Sequence, residues 1–536
     1  MKKIIKEYIS DVIASLQMPL VDIPLQIPKN KDHGDLSTNV AFLLAKKVGE
    51  SPMDIATKVC NKLEESNLFT GVTIAKPGFI NLKINPKMIF ENLKNIINSN
   101  ENYGKNNYGK NKKVLLEFVS ANPTGPLTVG HGRGAILGDC LKRILTWNGY
   151  SVDTEYYYNN AGRQMKILAE SVFARYLELN SKNSSFPEDG YHGEYIKKIA
   201  QNILDKYGAD LSLNDIDKFK SDAEKHIFAH INSTLKKLDI SFTSFFNESK
   251  LYEDKSIFAV IDKLKDKNLI YEKDGATWFE GTKVGRESDR VLVKNTGEPT
   301  YRLPDMAYHI TKFERNYDLI IDIFGADHMD AYPDVLEVLN QLGHDTNKIK
   351  VLIHQFVSIL KDGSVVKMST RKANFITLDK LVDEVGIDAV RYFFIMRSIN
   401  SHLNFDLDIA KEKSDKNPVY YIQYAHARIC TILDKVSLNN KEANLNLLNT
   451  ENDILIINKL LDFENIVLKL KDNLEPQLLS NYLYDLATEF HKYYAHNRII
   501  SENEELTNSR LVLIKAVKIV IKNGLNILGI SSPDSM

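Results

Sequence analysis

Cysteine is scarce in this chain, with three in 536 residues, Cys60, Cys140 and Cys430, set far apart. That spacing excludes a disulfide framework and a paired-cysteine zinc knuckle, and it points to a reducing compartment. No run of about eighteen apolar residues is present to span a membrane. The opening Met1-Lys-Lys-Ile-Ile-Lys-Glu lacks the apolar core of a signal peptide. A cytoplasmic chain with no membrane partner is therefore expected. Net charge is missing too: 69 Lys and Arg against 70 Asp and Glu leave −1. Neutrality gives no electrostatic footprint of nucleic-acid binding, so charge alone does not suggest RNA. Internal repeats are absent. What is present is 43% hydrophobic residues, enough for large cores, and 26% charged residues, which argue against disorder. The length suggests about three or four domains.

The organisation reads as multidomain α/β. Residues 1–110 mix amphipathic helices with short strands, an α+β N-terminal domain. They end in the polar, glycine-punctuated stretch 98–110, which reads as a linker. Residues 111–405 alternate strands with helices, the pattern of a Rossmann-like parallel sheet. A polar, largely helical insertion is expected at about 183–285. From 406 to 536 the chain is uniformly helical, with Pro418 and Pro476 as breaks. Leu511, Ile514, Val517, Ile521 and Leu525 form an apolar stripe, so this region is predicted to be an all-α bundle.

Val114 to Asp139 carries the strongest chemical signal. Val114, Leu115, Leu116, Phe118 and Val119 read as a strand buried on both faces. Asn122-Pro-Thr-Gly-Pro126 breaks it. After Gly130-His131-Gly132, apolar residues recur at helical spacing. Such a strand-turn-helix offers free backbone amides to a phosphate, with His131 as a further donor. Taken alone, it is as consistent with a plain tight connection. A second segment, Ser364-Val-Val-Lys367-Met-Ser-Thr-Arg-Lys372, follows a turn signal and is suited to clamp polyphosphate, or is a solvated basic turn. Glu117 is a charge among apolar neighbours and wants a partner, either a substrate cation or an internal ion pair.

Together, in this order, the two segments resemble the HIGH and KMSKS signatures of class I aminoacyl-tRNA synthetases. The surrounding residues are similar to arginyl-tRNA synthetases: Glu117 to Arg133, Tyr156 to Met165, Tyr301 to His309, Phe324 to His328, Tyr421 to Arg428 and Asn526 to Met536. The resemblance covers nearly the whole chain. It departs in two places. Thr128 stands for the first histidine of HIGH and Thr370 for the second lysine of KMSKS. Gly125 stands where some members carry a lysine that compensates for an incomplete loop motif. Arg371 or Lys372 is expected to supply the missing charge.

The resemblance implies ATP-dependent arginine activation and transfer to tRNA, with Mg²⁺ accompanying ATP, no bound zinc, and a monomer. It implies a catalytic set of Thr128, Gly130, His131, Lys367 and Ser369. The ATP region it implies is Ala121, Asn122, Pro123, Thr124, Gly125, Pro126, Leu127, Thr128, Val129, Gly130 and His131. Gly325, Asp327, His328, His354, Gln355, Lys367, Met368 and Arg371 complete it. Asp327 or His328 are also candidates simply to cap the next helix. Glu117 and Asp305 are expected to meet the substrate's cationic end, with Ser120, Asn122 and Tyr301 orienting it. Tyr301 and Asp305 share a face if Tyr301 to His309 is helical. Phe79 and Asn81 would read a D-loop base, unless Phe79 is strand core. Tyr424, Arg428 and Met536 would receive the anticodon, unless the first two make a helix–helix contact. Two alternatives stay open: a catalytically silent relative, for which Thr128 and Thr370 speak, and a class I synthetase for another amino acid.

Overall fold

A computed structural model describes residues 2–26, 28, 30–366, 376–436 and 443–536. In the N-terminal region, helices Lys2–Ser15, Val40–Val48 and Pro52–Leu63 cover a three-stranded antiparallel sheet. The sheet runs Leu36–Thr38, Phe79–Ile84, Phe69–Ala75 in spatial order. Local signals set the helix starts. Ser51 accepts from the Asp54 N–H and Pro52 opens the helix, while Asn85 and Pro86 do the same for Pro86–Ser99.

The central sheet has five parallel strands in the order Ile349–His354, Leu319–Gly325, Lys113–Glu117, Ser151–Tyr158, Ser244–Asn247. Neighbours in space are not neighbours in sequence between Lys113–Glu117 and Leu319–Gly325. The winding therefore reverses there, and the crevice at the carboxyl ends of these two strands is where such sheets bind ligands. Helix Val129–Trp147 crosses from Lys113–Glu117 to Ser151–Tyr158. It lies so close that a Cβ on Gly138 would sit 2.2 Å from the Phe118 ring, so only glycine fits.

Two sequence expectations are corrected here. The stretch 183–285 is not one helical insertion: Ser244–Asn247 is the outer strand of the central sheet. Ala276–Phe279 pairs with Ile270–Lys273 on one side and Arg290–Val293 on the other in a separate antiparallel sheet. Hydrophobicity in Phe245 and Phe246 was masked by polar flanks. The stretch 98–110 is not a free linker either. Tyr103 is buried against Phe463, and the Asn523 amide donates to the Asn100 and Tyr103 carbonyls. Polar residues saturated by partners from another domain look the same in sequence as residues saturated by water.

The C-terminal region packs helices Pro418–Lys435, Glu451–Asn473, Gln477–His496 and Glu504–Ile527. All five residues of the predicted stripe are fully buried, each contributing about 1.5–3 kcal/mol of hydrophobic stabilisation. Pro418 opens one helix and Pro476 immediately precedes another. The three cysteines are free and buried. Burial pushes the Cys60 thiol up to about 12 and the Cys140 thiol up to about 11. No described helix is long and apolar enough to cross a membrane.

Candidate active site at the strand ends

Between strand and signature helix, Val119 and Ser120 adopt successive left-handed conformations, φ 69° and 40°. A β-branched residue there is strained, and such strain collects at functional turns. The kink aims the Ser120 hydroxyl at Glu117 (2.8 Å), while its oxygen accepts from the Tyr157 N–H (3.1 Å). The following loop is pinned from outside. Tyr156 donates to the Ala121 carbonyl and Tyr195 to that of Thr124, and the Asn122 amide donates to Gln164. Pro123 is buried, while Gly125 and Pro126 are half-buried.

Thr128 caps the Val129–Trp147 helix, and its N–H donates to His131 Nδ1 at 3.1 Å. That nitrogen is thus bare, and a neutral ring keeps its proton on Nε2. Burial lowers the His131 pKa, against a smaller upward pull from Asp327, which favours the neutral ring. The first-turn amides, Gly130 included, have no intrahelical partner. His354, at the end of the neighbouring strand, is held down to about 4, chiefly by burial. Its Nδ1 is buried without a partner among the described residues. Arg133, absent from the expected site, is buried and donates to the carbonyls of Gln355, Ser398 and Ser401. It thereby fixes the Gln355 backbone. Its place directly after His131-Gly132 was the available clue.

Gly325 ends its strand, and Ala326–His328 form a single 3-10 turn. The alternative that Asp327 or His328 caps the next helix is not realised, since Ala331 precedes helix Tyr332–Gln341 with no side-chain cap. Both side chains are at least half exposed, with the His328 ring stacked on Phe324. Lys367, Met368, Ser369, Thr370, Arg371 and Lys372 lie outside the described residues. The segment's two ends do not: Ser364–Val365 pairs with Val357–Lys361. Beyond it, Thr377 bridges to Thr128, and the Leu378 N–H donates to the Leu127 carbonyl at 2.8 Å. The chain that follows the second signature is therefore tied to the start of the helix that carries the first.

The expected arginine residues sit at the same strand ends. Parallel register aligns Glu155, Glu117 and Asp322 across three strands. Glu117 is 2% exposed, and Lys312 Nζ reaches it at 2.5 Å and Asp322 at 2.7 Å. The internal ion pair is thus formed. Of the two partners the sequence left open, the ion pair is present, and a substrate cation would be a further partner of Glu117. Helix Arg302–Glu314 begins after Tyr301, which is 64% exposed, with the Arg302 guanidinium over its ring. Asp305 is in the first turn, 3.3 Å from His309 Nδ1. Lys312, His309 and Asp322 had no place in the sequence expectation; a helix face reading Asp305, His309, Lys312 was the signal.

Of the expected RNA contacts, Phe79 is half-buried with its ring on Phe42, and Asn81 lies in the middle strand at 5% exposure. Asn81 is thus less available to a base than expected: alternation sets it on the face opposite the core residues Ile80 and Leu82, beside Phe79, yet it is buried there. Tyr424 and Arg428 are one turn apart as expected. The guanidinium lies over both the Tyr424 and Tyr494 rings and donates to the Tyr424 hydroxyl at 2.6 Å. Met536 is 49% exposed. The tail before it is tied down: His426 Nδ1 donates to the Pro533 carbonyl, and the Cys430 thiol to Asp534. His426, Cys430 and Asp534 also form the single group of metal-ligand type among the described residues. With Nδ1 engaged and Lys518 3.8 Å from Asp534, they read as a tether.

A doubly wound parallel sheet with an amide-rich helix start at its switch point is the architecture of a class I aminoacyl-tRNA synthetase core. Residues 1–84 match the family described as the arginyl tRNA synthetase N terminal domain. Residues 92–392 match tRNA synthetases class I (R), catalytic domain, and 422–536 the DALR anticodon binding domain. The arginine–tRNA ligase of Desulfotalea psychrophila is 48% identical over 96% of this chain and 94% of its own length. That of Salinibacter ruber is 45% identical over 99% of this chain and 100% of its own. The solved Thermus thermophilus arginyl-tRNA synthetase shares the fold, with a TM-score of 0.79, 20% identity and 100% of both chains covered. The chain belongs to the arginyl-tRNA synthetase family.

Proposed function

We propose that the chain ligates arginine to its tRNA in two steps, with ATP bound along the carboxyl ends of the central strands. The arginine carboxylate attacks the α-phosphorus of ATP, which arrives with Mg²⁺. The P–O bond to the β-phosphate breaks, giving arginyl-adenylate and pyrophosphate. The 2′-hydroxyl of the terminal tRNA ribose then attacks the activated carbonyl, releasing AMP. The protein's part is positioning and charge stabilisation. The first-turn amides near Gly130 and the His131 Nε2–H donate to phosphate oxygens. Ammonium from Lys367, with Arg371 or Lys372, adds charge from the second signature. Glu117 and Asp305 hold the guanidinium, and Tyr301 covers it. Phe79 stacks on a base of the tRNA, with Asn81 secondary. Tyr424, Arg428 and Met536 meet the anticodon.

The observation that carries this reading is the His131 tautomer beside two acidic groups at one switch point: a neutral donor for phosphate, and carboxylates for a cation. The test is ATP–pyrophosphate exchange with arginine, with and without cognate tRNA, and lysine as control. Exchange with arginine and not lysine is expected, and family resemblance leads us to expect a requirement for tRNA. No exchange from folded protein that binds tRNA would leave the silent relative.

A further inference from the structure

The Glu155–Glu117–Asp322 register sets three carboxylates side by side on one buried face. Like charges so placed repel, and each demands an answer from the helix laid across them. Glu155 is fully answered. Arg315 forks onto it at 2.6 and 2.8 Å, and Tyr308 and Ser244 donate to it as well. Glu117 and Asp322 share a single ammonium, Lys312. The second cation is His309. Its Nε2 lies 3.1 Å from the Asp322 carboxylate, and its Nδ1 2.8 Å from the Asp305 carbonyl oxygen. Carboxylate and carbonyl oxygens only accept, so both ring nitrogens carry protons and the ring is an imidazolium.

Three carboxylates, Glu117, Asp322 and Asp305, thus face two cations, one positive charge short. Asp322 sits in the middle and touches both cations, so the deficit falls on Glu117 and Asp305. Glu248, which accepts from the Tyr157 hydroxyl and feels Asp305 across the gap, deepens the deficit when ionised.

We propose that Lys312, His309 and Asp322 are positioning residues that fix Glu117 and Asp305 and leave the site short of one cation, which the arginine guanidinium supplies. This rests on the arginine-ligase reading above. The three side chains are closed to solvent, so they act through the two carboxylates and do not touch substrate. A guanidinium completes the cluster; an uncharged isostere cannot.

Citrulline, with a urea in place of the guanidinium, is the probe. In pyrophosphate exchange with tRNA present, its inhibition constant is compared with the arginine KM. Asp322→Asn removes the deficit. The preference for arginine over citrulline is expected to fall by about tenfold or more, with the ATP KM unchanged. The double variants Lys312→Met/Asp322→Asn and His309→Gln/Asp322→Asn conserve net charge. They are expected to keep the preference within about threefold, although turnover falls. A folded Asp322→Asn with unaltered preference overturns the proposal. If the single variant does not fold, the doubles decide: a folded double that has lost the preference overturns it. Failure of the unaltered enzyme to exchange arginine would instead strike the ligase reading.

Discussion

At His131 one backbone N–H decides which ring nitrogen carries the proton. Thr128 supplies it, so the residue standing where the family's first histidine is found acts through its main chain, with its hydroxyl 3.2 Å from the same nitrogen. His131→Ala is expected to slow pyrophosphate exchange by about 10²–10³ with the arginine KM little changed, as for loss of one preorganised donor. His309 gives a pH prediction. Burial and Lys312 press its pKa down, but Asp305 and Asp322 prevail and raise it to about 10 from 6.5. A group raised on folding stabilises fully below its unfolded value and loses that contribution as pH climbs through the folded one. The gap in apparent melting temperature between the unaltered protein and His309→Gln should be widest below about pH 6.5 and close toward about pH 10. A gap constant with pH would show a ring that does not titrate with folding. Glu117 was legible in the sequence as a charge lacking a partner. Lys312, its partner, is 195 residues away, and only the placement of helix Arg302–Glu314 against strand Lys113–Glu117 brings the two together.

Among the elements, helix Arg302–Glu314, which the sequence left conditional, carries polar residues on its inner face. His309 and Lys312 recur with Asp305 at helical spacing but face inward, onto carboxylates, where an amphipathic reading puts apolar side chains. Helix Ile387–Ile395 carries another buried cation, Arg391. It donates to Asp139 on the signature helix and to the carbonyls of Leu238 and Leu528. Gly529 makes room for it: φ is +68°, and a Cβ there would meet the guanidinium at 2.1 Å. Gly529→Ala is expected to destabilise by about 1–3 kcal/mol, read as a lower denaturant midpoint. An unchanged midpoint would mean that Arg391 has other room. Nothing in Asn526-Ile-Leu-Gly529 announces a contact with a helix that starts near residue 387; the glycine was visible, its reason was not.

Across the whole molecule the tail joins what the chain separates. The Ser531 N–H and hydroxyl both donate to Asp388, and Gln423 donates to Asp388 and to the Ser531 carbonyl. Deleting residues 531–536 is expected to raise the tRNA KM by about tenfold or more while the ATP KM holds, since Pro533 and Asp534 tie the tail that ends at Met536 to helix Pro418–Lys435. Charging that survives the deletion intact would remove Met536 from the anticodon surface. The strand-turn-helix at Val114 to Asp139 and the bundle stripe were readable because each is local. The outer sheet strand and the docked stretch 98–110 were not, because their partners are supplied by distant sequence.

The three buried thiols have a practical corollary. Thiolate is the species that alkylates, and Cys60, Cys140 and Cys430 are all held toward the protonated form as well as shielded. The native fold is therefore a quiet background for maleimide chemistry. A single cysteine introduced at an exposed position would take a fluorophore alone, making domain movements during charging measurable without first stripping the protein of its own sulfur.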